Sequence, residues 1–266
     1  MGTLSGRVPG SVRPHPGRHR GAAAALSALF LLVDKASLHL DIDPDEFEVL
    51  EPGLRRRNGV APYPLLEFTD HLVNGAGYCR ELKNAVAGEP LVVHLLRALV
   101  TGLPATEPLD EILETKHVER CDQACYRCLL RYRNQPFHGL LDWQLGLAFL
   151  ETLLSDGFRC GLDGDFKAHR GLSQWPRWAR TYAEKMATLY AGEVFDAAGL
   201  AGVRLPQRGV ALIVHPLWDR SEPDGVLTEA IEATVDRFGE VPQFADTFNL
   251  ARRPAWVFEN LGTAET

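Results

Sequence analysis

Three cysteines fall within eight residues of this chain, at Cys121, Cys125 and Cys128. The spacing, C-x3-C-x2-C, constrains the fold more than any other feature. Thiolates are soft ligands that suit Zn²⁺, and structural zinc takes four ligands in a tetrahedron. One short turn can bring several sulfurs to one ion. On an unbroken helix, positions i, i+4 and i+7 would instead share a face and could form a buried thiol stripe. The polar neighbours Asp122, Gln123 and Arg127 argue against that stripe. The chain has five cysteines in 266 residues, too few and too odd a number for a disulfide framework. A reducing compartment, the cytoplasm, is expected. The cluster supplies three ligands, and Cys79, His117, Glu119 and His138 are candidates for the fourth. Cys79 sits beside a glycine turn, and His117 needs only a short local loop. Cys160 lies beyond a long helix and reads as a core thiol.

Charge narrows the function classes. The net charge is −7. Arg7, Arg13, Arg18 and Arg20 give the first 33 residues +4, which leaves −11 on the rest. An acidic body is a poor long-range attractor of nucleic acid, so DNA contact would rest on local basic faces. Two such faces are Arg55-Arg56-Arg57 and Arg131-Tyr132-Arg133, the second with an aromatic ring suited to stacking. Solvated surface is the other reading of both. The chain has no G-x-x-x-x-G-K-[ST] loop and no Gly-Lys pair, so it carries no P-loop motor. Asn74-Gly75-Ala76-Gly77 is a turn that places Cys79, or less simply a phosphate cradle. His138 and Asp142 read as helix-start residues rather than a catalytic pair. His215, Asp219 and Asp246 are candidate Mg²⁺ ligands of a nuclease, although no Glu-x-Lys follows Asp219.

The expected fold is α+β, a helix-rich zinc-binding domain with short strands followed by a smaller α/β segment. Residues 1–20 lack hydrophobic periodicity and read as disordered. Residues 21–39 read as a buried helix, whose apolar run is too short to span a bilayer and lacks a leader cleavage site. The zinc domain is expected over 21–160 and the α/β segment over 161–266. Strands are expected at Phe47–Glu51 and Tyr63–Thr69, with a turn at Arg55–Gly59 between them. Helices are expected from Tyr78 to Val86, Leu91 to Val100 and His138 to Leu154. Residues 107–120 read as loop and short helix. Residues 155–207 read as irregular up to a helix near Thr181–Ala191. Gly209–Val214 reads as a buried strand, Val226–Phe238 as a helix, and Phe244–Leu250 and Ala255–Val257 as weak strands.

The order Asn74-Gly75-Ala76-Gly77-Tyr78, the cysteine cluster, Cys128-Leu129-Leu130-Arg131-Tyr132-Arg133-Asn134 and His138-Gly139-Leu140-Leu141-Asp142-Trp143 resembles the zinc-binding domain that closes MrfA-type helicases. Within that group it looks most like DrmB, a component of the DISARM anti-phage system. The specific motifs cover about residues 22–155. A looser, DrmB-like likeness covers 205–258, at Val214-His215-Pro216-Leu217-Trp218 and Asp246-Thr247-Phe248-Asn249. The resemblance implies a zinc site, association with a superfamily 2 helicase on a separate chain, and a role on DNA in defence. The family's cluster begins with a cysteine two positions before Cys121, where this chain has Glu119. The fourth ligand must therefore come from elsewhere, and Cys79 is expected to supply it. The rival classes are the nuclease using His215, Asp219 and Asp246, and a purely structural interaction module.

Overall fold

A computed structural model describes residues 2–4, 19–57, 60–72, 75–102 and 115–262. The expected disorder over 5–18, the tip of the Arg55–Gly59 turn and the loop over 107–114 lie outside the described residues. The fold is α+β, as expected. It divides at Phe158/Arg159 into two compact units among the described residues.

In the first unit, β1 (Gly2–Leu4) precedes α1 (His19–Leu40). Then come β2 (Phe47–Val49), β3 (Gly53–Arg57), β4 (Val60–Asp70), α2 (Tyr78–Glu81), the two-residue strands β5 (Ala85–Val86) and β6 (Glu89–Pro90), and α3 (Leu91–Thr101). After these, α4 (Thr115–Arg120) and α5 (Trp143–Leu154) close the unit. The long β4 is the hub of the sheet and pairs antiparallel with β1, β2 and β3. Residues 2–4 are therefore a strand, in register with Leu66–Phe68, and not part of a disordered arm. Arg55–Arg57 lie on β3 rather than in a turn.

The helix expected over 21–39 extends to Leu40 and is long and apolar enough to cross a membrane, contrary to the shorter run expected. Its apolar window is 83% buried inside the protein. Ala23, Ala24, Ala25, Ala28, Leu29, Leu31 and Leu32 are all enclosed, packed against α5, α3 and β4. Small side chains let α1 and α5 cross closely. A Cβ on Gly146 would stand 2.9 Å from the Ser27 backbone and from Leu31 Cδ1. At this crossing Ser27 Oγ donates to Ala23 O (2.7 Å) and accepts from Asp142 N (2.9 Å).

In the second unit, α6 (Trp175–Leu189) leads into an antiparallel meander of β7 (Glu193–Ala197), β8 (Leu200–Leu205) and β9 (Gly209–Val214). The crossover helix α7 (Val226–Phe238) returns the chain to β10 (Gln243–Asp246), parallel to β9. Two short helices end the unit, α8 (Thr247–Arg252) and α9 (Pro254–Asn260). The near-continuous burial of β9 fits a strand covered on both faces, and α6 and α7 both pack on the sheet. The strand expected over Phe244–Leu250 breaks at Asp246, whose carboxylate accepts from Asn249 N and caps α8. The strand expected at Ala255–Val257 is helix α9, opened by Pro254.

Candidate metal centre

The centre is assembled from one helix end and one turn. His117 lies in α4, and Cys121 N donates to His117 O (2.8 Å), which stacks the two side chains one helical turn apart. The chain then leaves the helix. Cys128 N and Leu130 N both donate to Cys125 O, each at 3.0 Å, and Cys125 N donates to Cys128 Sγ (3.1 Å). The three cysteines therefore sit on a knuckle and not on a helical stripe.

His117, Cys121, Cys125 and Cys128 place one ligand atom each within 4.8 Å of all the others. Cys121 Sγ to Cys128 Sγ is 3.9 Å, and Cys125 Sγ to Cys128 Sγ is 3.8 Å. Cys125 Sγ to His117 Nε2 is 3.4 Å. A tetrahedron with metal–sulfur bonds of about 2.3 Å and metal–nitrogen bonds of about 2.0 Å has S···S edges of about 3.8 Å and S···N edges of about 3.5 Å. The donor set thus fits a metal ion of the size and softness of zinc. His117, Cys121 and Cys128 are buried and Cys125 is half-buried. The Cys128 thiol is held down to about 5 by the hydrogen bond from Cys121, which outweighs burial, and by Cys125 N–H and His117. The Cys121 thiol is pushed up by the same hydrogen bond and by burial. The lowering favours ionisation of Cys128, and thiolate is the form a metal binds.

Residues flanking the knuckle hold its shape. Asn134 is buried; its Nδ2 donates to Leu129 O and its Oδ1 accepts from Arg131 N, both at 2.8 Å. His138 Nε2 lies 2.9 Å from both Arg131 O and Asn134 Oδ1. Trp143 Nε1 donates to Cys121 O (3.0 Å), and its ring lies 5.6 Å from that of His117. Asp142 caps α5 by accepting from Leu145 N (3.0 Å), so the helix starts at Trp143 and not at His138. Arg131 pairs with buried Asp34 of α1 (2.8 Å), and Arg133 pairs with Asp45 (3.0 Å). Burial, opposed by Arg131, raises the Asp34 carboxyl to about 7.

The structure does not bring Cys79 to this centre. The fourth atom of a metal-ligating type, beside the three sulfurs, is His117 Nε2. Cys79 N donates to Asp70 Oδ1 (2.8 Å), Gly77 N donates to Asp70 Oδ2 (2.9 Å), and Cys79 Sγ faces Phe68 O at 3.8 Å. Burial and the neighbouring Asp70 push its thiol up to about 12. Asp70 thus occupies two of the amides that a phosphate cradle here would offer. Gly77, at φ 89°, is needed because that turn enters the left-handed region. Glu119 is exposed, and His138 is committed to the knuckle backbone. The local signal for His117 was its spacing, H-x3-C, one helical turn before Cys121. Asn134 and Asp34 carry no such signal, because their partners are set only by the fold.

Of the candidate DNA-contacting residues, Arg131 is half-buried on Asp34, and Tyr132 and Arg133 are exposed. The side chains of Arg55, Arg56 and Arg57 lie outside the described part. Among the described residues, His215, Asp219 and Asp246 do not gather as a set of ligand atoms. His215 is buried; its Nδ1 accepts from Leu217 N (3.3 Å) and lies 3.2 Å from Cys160 Sγ. Burial lowers it to about 3, with Asp246 opposing. Asp246 accepts from Arg220 (2.6 Å) and from Asn249 N and Nδ2 (2.8 Å each). Comparison with protein-family models, curated proteins and solved structures found no match to the chain.

Proposed function

We propose that the chain is a zinc-stabilised accessory subunit that works on DNA beside a superfamily 2 helicase carried on a separate chain, in cytoplasmic anti-phage defence. The observation that carries the zinc part is the His117–Cys121–Cys125–Cys128 set, three of whose six edges match a zinc tetrahedron and all of whose ligand atoms lie within 4.8 Å of one another. Zinc bound there would contribute folding free energy directly. Its own protein residues would do the rest. Asn134, His138 and Trp143 fix the knuckle, and Arg131 ties it to α1 through Asp34. The helicase, DNA and defence parts rest on the likeness of the knuckle and its flanks to the MrfA-type domain, and on DrmB in particular. The nuclease reading finds no support, since its three residues serve a buried network and a helix cap. Two measurements test the proposal. Metal analysis should find one zinc per chain. Affinity purification from the native host should recover a helicase, and a clean preparation without one would remove the partner from the reading.

A further inference from the structure

The knuckle presents two large aromatic rings to solvent. Tyr126 is 74% exposed and Tyr132 is 84% exposed, the two highest exposures among the aromatic side chains described. Rings are usually buried because of the apolar area they carry, so two on one small turn are unusual. Both rise from a turn whose backbone is braced by His138. Tyr126 meets the ring of His138 edge-on, with centroids 5.9 Å apart. His138 Nε2 in turn contacts Arg131 O, the carbonyl of the peptide bond that leads into Tyr132.

The segment that carries them is basic, and Asp34 and Asp45 from outside it pair with two of its arginines. Between Asp122 and Asp142 the chain carries Arg127, Arg131 and Arg133 and no acid, inside a body of −11. Arg131 is braced by Asp34, so it positions the turn. Arg133 pairs with Asp45 at an exposed site, a contact of little worth that a phosphate can replace. Stacking rings beside arginines on a stiff turn is the recognition chemistry of single-stranded nucleic acid, where bases lie on aromatic faces and cations follow the backbone.

We infer that Tyr126 and Tyr132 form a base-stacking platform for single-stranded DNA on the metal knuckle. This rests on the DNA-associated reading above and names the form of DNA and the contacts. A duplex offers no free base faces to these rings, so the platform discriminates strand state and not sequence.

The test uses the zinc-loaded full chain and fluorescence anisotropy with labelled oligothymidylate and a duplex of equal length. The wild type should bind the single strand more tightly than the duplex. Tyr126→Ala and Tyr132→Ala should each weaken single-strand binding by about tenfold and together by about a hundredfold. Tyr→Phe at either position should bind like the wild type, since the ring is kept. The salt dependence should stay unchanged in the tyrosine variants and become shallower in Arg133→Ala, by about 0.7 in slope for one lost phosphate contact. Both tyrosines are too exposed for their loss to unfold the knuckle, and bound zinc checks this. A double variant that binds oligothymidylate like the wild type overturns the platform and leaves the DNA reading standing. A wild type that binds neither DNA form overturns both. Loss of helicase capture in the double variant, with DNA binding intact, makes this a protein-docking face and also overturns the platform.

Discussion

His117 and Cys79 compete for one role, and single substitutions separate them. With its Nε2 3.4 Å from Cys125 Sγ, His117 is the residue placed to close a metal tetrahedron. His117→Ala should drop the purified protein well below one zinc equivalent, while Cys79→Ser should keep the full equivalent, both read by metal analysis. Asn134 makes a different prediction. It is buried and bonded to Leu129 O, Arg131 N and His138, so Asn134→Ala leaves Leu129 O and Arg131 N without that partner, while His138 Nε2 keeps Arg131 O. Zinc-saturated protein should lose about 1–3 kcal/mol of stability in denaturant titration. His215 gives the pH prediction. Its folded value, about 3, lies below the ordinary histidine value near 6.5. Between those two values the unfolded chain binds a proton that the folded chain refuses, so stability falls as pH falls, by at most about 1.4 kcal/mol per pH unit. Because Nδ1 accepts from Leu217 N, the ring proton sits on Nε2. Nitrogen-15 NMR should show that neutral tautomer still in place at pH 5, and an imidazolium there would contradict the account.

At the scale of elements, the α1–α5 crossing sets the frame on which the knuckle rests. Gly146→Val would push a side chain into Ser27 and Leu31 and should destabilise by about 1–3 kcal/mol in thermal melts run with excess zinc. The elements most legible in the sequence were those with a long period or a continuous apolar run. Leu91–Thr101, Gly209–Val214 and Val226–Phe238 lie where the pattern put them. The hairpin β7–β8 was not legible, because Ala201 and Gly202 have weak strand preference. The ring of Phe195 covers Gly202, so packing against the partner strand makes the strand. Helices α8 and α9 were read as strands because six or seven residues show too few turns for a 3.6 period. Their true signals were the Asp246 cap and Pro254 at the start. At the site, the cysteine spacing was legible, and His117 was in view as an alternative. Cys79 stands apart from the cluster because Asp70 and Phe68 engage it, which sequence distance does not reveal.

Across the whole molecule, the two compact units should respond differently to metal removal. The knuckle supplies much of the order between α4 and α5, while the β7–β10 sheet has its own apolar core. A chelator should therefore raise amide hydrogen exchange through residues 115–145 and leave the amides of β8 and β9 protected. Equal exposure of both would show one cooperative unit instead. The most direct measurement is zinc stoichiometry combined with X-ray absorption at the zinc edge on the purified chain. The account predicts one zinc per chain, with three sulfurs at about 2.3 Å and one nitrogen at about 2.0 Å. A four-sulfur shell, or a chain that keeps no zinc after gentle purification, would contradict it.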